Sequence, residues 1–168
     1  MKINKDLNNL TESEFISIFG SIFEKSSWIA VQAFKQKPFK NSKDLIDKMI
    51  KIFESCSIEE MIKIFNLHPK LAIEKKLTSL SSKEQSGAKL DNCTDEEILE
   101  FEKLNLDYQK KFMFPFIVAV KGKKKDEILK NFRFRIKNNY QKEFQEAKKQ
   151  VMNIALHRLN ELFKNEII

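Results

Sequence analysis

Apolar residues recur at spacings of three and four along most of this chain, and the pattern reads as a succession of helices. Thr11 and Glu14 form a capping box ahead of Phe15, Ile18, Phe19, Ile22 and Phe23, which line one face of an amphipathic helix. Residues 28–36, "WIAVQAFKQ", predict a second short helix, stopped before Pro38 because proline pushes its predecessor out of the α region. Leu45, Ile46, Met49, Ile50 and Phe53 give a third. Ser57 with Glu60 makes another capping box, and Met61, Ile62 and Phe65 carry a fourth helix toward His68. Ser81 opens the next segment. Thr94 with Glu97 caps a longer helix through Ile98, Phe101, Leu104 and Tyr108, Ile128 to Ile136 marks another, and the last runs over about 140–163.

One stretch breaks the rhythm. Residues 112–120, "FMFPFIVAV", combine a proline with a continuous apolar run. With no partner strand elsewhere, the segment is expected to be buried and extended between helices. Only three glycines and three prolines punctuate the chain, which favours long helices over turn-rich β architecture. There is no internal repeat and no linker-like shift in composition, so residues 1–168 are expected to form a single all-α domain, long enough to bury a core.

Composition narrows the function classes. The 42% hydrophobic share and fifteen phenylalanines are globular, not disordered. No apolar run reaches the length of a membrane span, and neither terminus reads as a secretory or lipidation signal. Cys56 and Cys93 stand alone without a C-x-x-C, which argues against a metal site or disulfide framework and for reduced thiols in the cytoplasm. The net charge of +7 comes mostly from lysine, since Arg133, Arg135 and Arg158 are the only arginines. A basic balance is compatible with nucleic acid, but "KGKKK" at 121–125 reads more simply as a solvated loop.

Three features are out of place in a plain helical core. Pro69 should end the fourth helix at His68, leaving an imidazole at a helix C-terminus, where the dipole favours its protonated form and where proton transfer is within its range. The bland alternative is a surface helix-stop histidine. His157, by contrast, lies off the Val151, Ala155, Leu162 stripe and is expected to face solvent. Arg158 falls seven residues after Val151 and four before Leu162, within the apolar arc. A guanidinium there needs an acidic partner, carbonyls or a bound anion, because an unpaired buried charge is costly. The bland reading is snorkelling or an internal salt bridge, and the sharper one is a fork that holds a substrate carboxylate. Ser81 with Glu84 fits a capping box, although a helix N-terminus also holds anions.

Taken in series, "FGSIFEKSSWIA" (19–30), "KPF" (37–39), "HPKLA" (68–72), "LTSLSSKEQSGAKL" (77–90), "FMFPFIVAV" and "EFQEAKKQVMNIALHRL" (143–159) resemble the 2-oxo-4-hydroxy-4-carboxy-5-ureidoimidazoline (OHCU) decarboxylases of urate degradation. The resemblance implies a compact all-α bundle, a homodimer, and conversion of OHCU to (S)-allantoin with no metal or organic cofactor. It makes His68 the catalytic histidine and Glu84 its partner carboxylate. Pro69, Ser81, Gln85 and the backbone of Phe116, Ile117, Val118, Ala119 and Val120 would contact substrate, and Arg158 would grip it.

The chain departs from the family pattern in three places. The stretch between His68 and Ser81 is short and lacks its customary glycine, "SGAKL" replaces an Ala-Gly-Leu ending, and Lys121 stands where an arginine often follows. Two other readings compete. One is a decarboxylase of the same fold acting on another small carboxylated heterocycle. The other is a non-catalytic basic module, which needs exposed aromatics interleaved with its lysines.

Overall fold

The computed structural model describes residues 7–72 and 77–166. Among them are eight α-helices and no strand: α1 (Glu12–Phe19), α2 (Trp28–Phe34), α3 (Ser42–Glu54), α4 (Ile58–Leu67), α5 (Ser79–Gly87), α6 (Asp95–Phe112), α7 (Lys125–Arg135) and α8 (Tyr140–Glu166). The all-α expectation holds. The capping boxes at Thr11 and Thr94 are both formed, with each threonine oxygen and each glutamate three residues on satisfying the other's backbone N–H. Ser57 and Glu60 do the same at α4. No described helix is long and apolar enough to cross a membrane.

The chain divides into two compact units, one running to Ile64 and resuming at Met152, the other spanning Phe65–Val151. In the first, α1 packs on α2 and α2 on α3. Phe15 anchors the contact, 4.6 Å from Phe19 and stacked 5.7 Å from Phe39, while Phe23 meets Phe53 at 5.3 Å. Burying each such ring is worth roughly 1.5–3 kcal/mol. The first helix ends earlier than its apolar pattern predicts. Gly20 caps it with its N–H on the Ile16 carbonyl, so close that a Cβ would lie 2.4 Å from that oxygen. Ile22 and Phe23 stay buried, but from the following turn. Hydrophobic phase continued after the helix had stopped.

The second unit is built around an aromatic cluster. Phe116 stacks on Phe132 at 3.9 Å, and Tyr108 meets Phe112, Phe114, Phe116 and Phe132. α6 runs on through Phe112 and closes at Met113 in the left-handed region, so the expected extended segment begins only after that cap. Residues 115–120 are in neither helix nor strand and are all buried, as their composition implied.

Candidate active site

His68 sits just past the end of α4, its N–H on the Phe65 carbonyl at 3.1 Å. Pro69 follows and the helix cannot continue, as the sequence required. The imidazole is 9% exposed and its Nε2 is screened from solvent, so the surface-histidine reading is overturned. His157 is exposed, as expected. Pro69 is half-buried.

The turn after His68 is fastened at both ends. Before it, Asn66 Nδ2 donates to the Met113 carbonyl at 3.1 Å and Phe65 packs edge-on to Phe114 at 5.2 Å. These contacts bring the end of α4 to the start of the buried apolar segment. After it, Ala72 N–H donates to Gln85 Oε1 at 3.1 Å, which ties the turn to α5. Ala72 takes φ 64, a left-handed conformation that costs a non-glycine residue on the order of 1 kcal/mol.

Ser81, Glu84 and Gln85 share one face of α5 at spacings of three and four. Ser81 and Gln85 are buried and Glu84 is half-buried. The capping-box reading of Ser81 and Glu84 is corrected. Thr78 is the N-cap, extended at φ −64, ψ 158, and its oxygen accepts from Ser81 N–H at 3.3 Å. α5 therefore starts before Ser81, whose side chain turns inward. Gln85 Nε2 is buried with no hydrogen-bond partner among the described residues. A buried donor left unmet costs roughly 1–3 kcal/mol, and a polar ligand would recover that cost.

Phe116, Ile117, Val118, Ala119 and Val120 are all buried. Their backbone is held by side chains, not by a sheet. Arg135 Nη1 donates to the Ile117 carbonyl at 2.7 Å, Ala119 N–H donates to Gln150 Oε1 at 2.9 Å, and Lys123 Nζ donates to the Ala119 carbonyl at 2.7 Å. Arg135 is in turn fixed by Glu143, with its Nη2 2.6 Å and its Nε 2.8 Å from Oε1, and its guanidinium lies 4.5 Å from the Phe116 ring. Tyr108 donates its hydroxyl to the same carboxylate oxygen, and Asn138 donates to the other at 2.7 Å. Burial, with the neighbouring carboxylate opposing the pull of Arg135, pushes the Tyr108 phenol well above its ordinary range.

Sequence reasoning missed this network, though a signal was present. Arg135 follows Ile128 by seven residues, the same phase argument that singled out Arg158.

Arg158 belongs to the first unit and is 6% exposed. Its Nη2 donates to Glu24 Oε2 at 3.1 Å and its Nη1 to the Ser21 and Ile22 carbonyls, each at 3.3 Å. Of the readings open to it, the internal salt bridge is formed. Glu24, 2% exposed, lies within the "FGSIFEKSSWIA" stretch, where no helical phase marks it as inward-facing.

A profile of the OHCU decarboxylase family matches residues 8–160. The chain belongs to that family. It is 40% identical over 160 residues to a uric acid degradation bifunctional protein of Bacillus sp. (strain TB-90), covering 95% of this chain but only 32% of that protein, so it spans about a third of that relative. It is 33% identical to the 2-oxo-4-hydroxy-4-carboxy-5-ureidoimidazoline decarboxylase of Haloferax volcanii, covering 96% of both. Among solved structures, an (S)-allantoin synthase superposes with TM-score 0.76 at 27% identity over 94% of this chain and 52% of that one. An OHCU decarboxylase studied in the presence of (S)-allantoin gives TM-score 0.71 at 22% identity, covering 92% and 99%, and supports the fold.

Proposed function

We propose that this chain is a carboxy-lyase converting OHCU to (S)-allantoin and carbon dioxide, with His68 and Glu84 as the acid–base pair. The observation that carries the reading is the burial of His68 on a turn gripped by Gln85, whose own donor meets no partner among the described residues. In a surface loop, an imidazole and an unpaired amide would both face water. Family membership supplies the substrate class.

The bond from the hydroxyl-bearing ring carbon to the carboxylate breaks, carbon dioxide departs, and the electron pair moves into the adjacent ring C=N, leaving an enol. The hydroxyl proton then leaves as that carbon becomes a carbonyl, and a proton adds to one face of the neighbouring carbon that carries the ureido group. The protein's task is to hold the carboxylate out of the conjugated plane, stabilise the developing anion and deliver the proton. His68, oriented by Glu84, handles the substrate hydroxyl proton and the protonation. General acid–base action of this kind is worth about 10²- to 10⁴-fold in rate. Ser81, Gln85, Pro69 and the backbone of residues 116–120 are assigned to substrate contact, and Arg158 to the carboxylate. Glu24 and two carbonyls fix the plane of the Arg158 guanidinium. A homodimer and a cytoplasmic location complete the proposal, and sedimentation equilibrium tests the first.

OHCU decays unaided, so the deciding experiment follows rate and handedness. OHCU is generated in place from urate with urate oxidase and hydroxyisourate hydrolase, and circular dichroism is recorded as the protein is added. Faster loss of the OHCU signal with growth of that of (S)-allantoin supports the reading. An unchanged course sinks it and turns attention to other carboxylated heterocycles.

A further inference from the structure

We infer that Asn105 on α6 is a positioning residue that sets the His68 turn. This rests on the reading of His68 as the proton-transferring group. Asn105 is 2% exposed, in a stripe that otherwise buries Phe101, Tyr108 and Phe112. Its Nδ2 donates to the Leu71 carbonyl at 3.2 Å and to the Phe101 carbonyl at 2.7 Å. Two carbonyl acceptors fix which end of the amide faces the turn.

The Leu71 carbonyl and the Ala72 N–H belong to one peptide unit. Asn105 holds its oxygen and Gln85 holds its nitrogen, from two different helices. A peptide gripped at both poles cannot rotate about its flanking bonds, and this enforces the left-handed φ of 64 at Ala72. One turn along α6, Gln109 Nε2 donates to Asn66 Oδ1 at 3.3 Å. Asn105 and Gln109 thus lie on one edge of α6 and fasten the chain on either side of His68, at Leu71 and Asn66. The buried bond at Asn105 is the stronger of the two, being shielded from water.

Stability alone does not account for an asparagine here. Its Oδ1 is buried with no hydrogen-bond partner among the described residues, a cost of roughly 1–3 kcal/mol that an apolar residue of similar size would avoid. The donor end is what the turn uses.

The test is Asn105→Leu, close in volume but without the donor. With the OHCU assay, kcat should fall about 10- to 100-fold, the range expected for a misplaced catalytic group, with KM changing far less. The two histidines give a readout that needs no substrate. In imidazole proton–nitrogen NMR spectra the His68 resonance should shift or broaden, while exposed His157 stays fixed and reports an intact fold. In the wild-type protein the Asn105 amide protons should exchange slowly and show NOEs to Leu71 and Ala72, a measurement that stands even if the variant does not fold. An unmoved His68 resonance with unchanged kcat, or a fast-exchanging Asn105 amide, overturns the inference. A wild type inactive on OHCU, yet with a His68 resonance that moves in Asn105→Leu, overturns the substrate assignment and leaves the positioning role standing.

Discussion

Two arginines among the described residues are buried, and each meets a glutamate that is almost wholly enclosed. Side-chain exposures are 3% and 0% for Arg135 with Glu143, and 4% and 1% for Arg158 with Glu24. Such pairs gain little over well-packed apolar residues, but removing one partner strands a charge and costs about 3–5 kcal/mol. Glu143→Gln and Glu24→Gln should therefore each lower the unfolding free energy by about 3 kcal/mol, read from urea denaturation. Glu143→Gln should also loosen residues 116–120, visible as faster hydrogen exchange at Ala119. The histidines separate by burial: His68→Asn is expected to lose about 100-fold or more in OHCU turnover, and His157→Asn to match the wild type. Tyr108 adds a pH test. Its folded pKa is raised, so stability is complete below the ordinary phenol value of 10.0 and falls as pH rises beyond it. A stopped-flow alkaline jump should show the Tyr108 share of tyrosinate absorbance only as the protein unfolds.

At the scale of elements, caps set where helices start and tertiary contacts set what they hold. α6 is the clearest case, with Thr94 and Glu97 closing its first turn and Lys125 Nζ 2.6 Å from Glu97 Oε2. Thr94→Ala should destabilise by about 1 kcal/mol in thermal or urea unfolding. The Lys125 ammonium, then the Thr94 N–H, hold the Glu97 carboxyl below its ordinary value of 4.5. A depressed carboxylate stabilises above its unfolded pKa, and that contribution is lost as pH falls through the folded one. The stability gap between wild type and Glu97→Gln should therefore be constant near neutrality and close progressively below about pH 4.5. α5 teaches the opposite lesson. Ser81 had the right residue type and spacing for a cap, but Thr78 stood nearer the true start and took the role.

For the molecule as a whole, the excess of seven positive charges is accompanied by few exposed aromatic rings among the described residues, Trp28, Phe134 and Tyr140. Of the phenylalanines only Phe134 is exposed, at 63%, with Lys142 above its ring at 5.8 Å. Stacking on bases needs several such rings along a basic groove. Heparin should accordingly retain the protein weakly and release it at modest salt, with OHCU turnover unaffected by added heparin; tight, salt-resistant retention would revive the binding-module reading.

The succession of helices, the buried apolar run ahead of α7, the break at His68 and the burial of Arg158 were all legible in the sequence. Each follows from local rules: apolar phase, a proline's effect on its neighbour, the oxygen of a capping threonine. The pairing of Arg158 with Glu24, more than a hundred residues away in the chain, was not legible. Neither was the hold of Arg135 on Ile117, nor the peptide of Ala72 shared between Gln85 and Asn105. Phase tells which side chains turn inward, but a buried polar group takes whichever partner folding brings within hydrogen-bond reach. That choice depends on distances between distant segments, and only the tertiary structure fixes them.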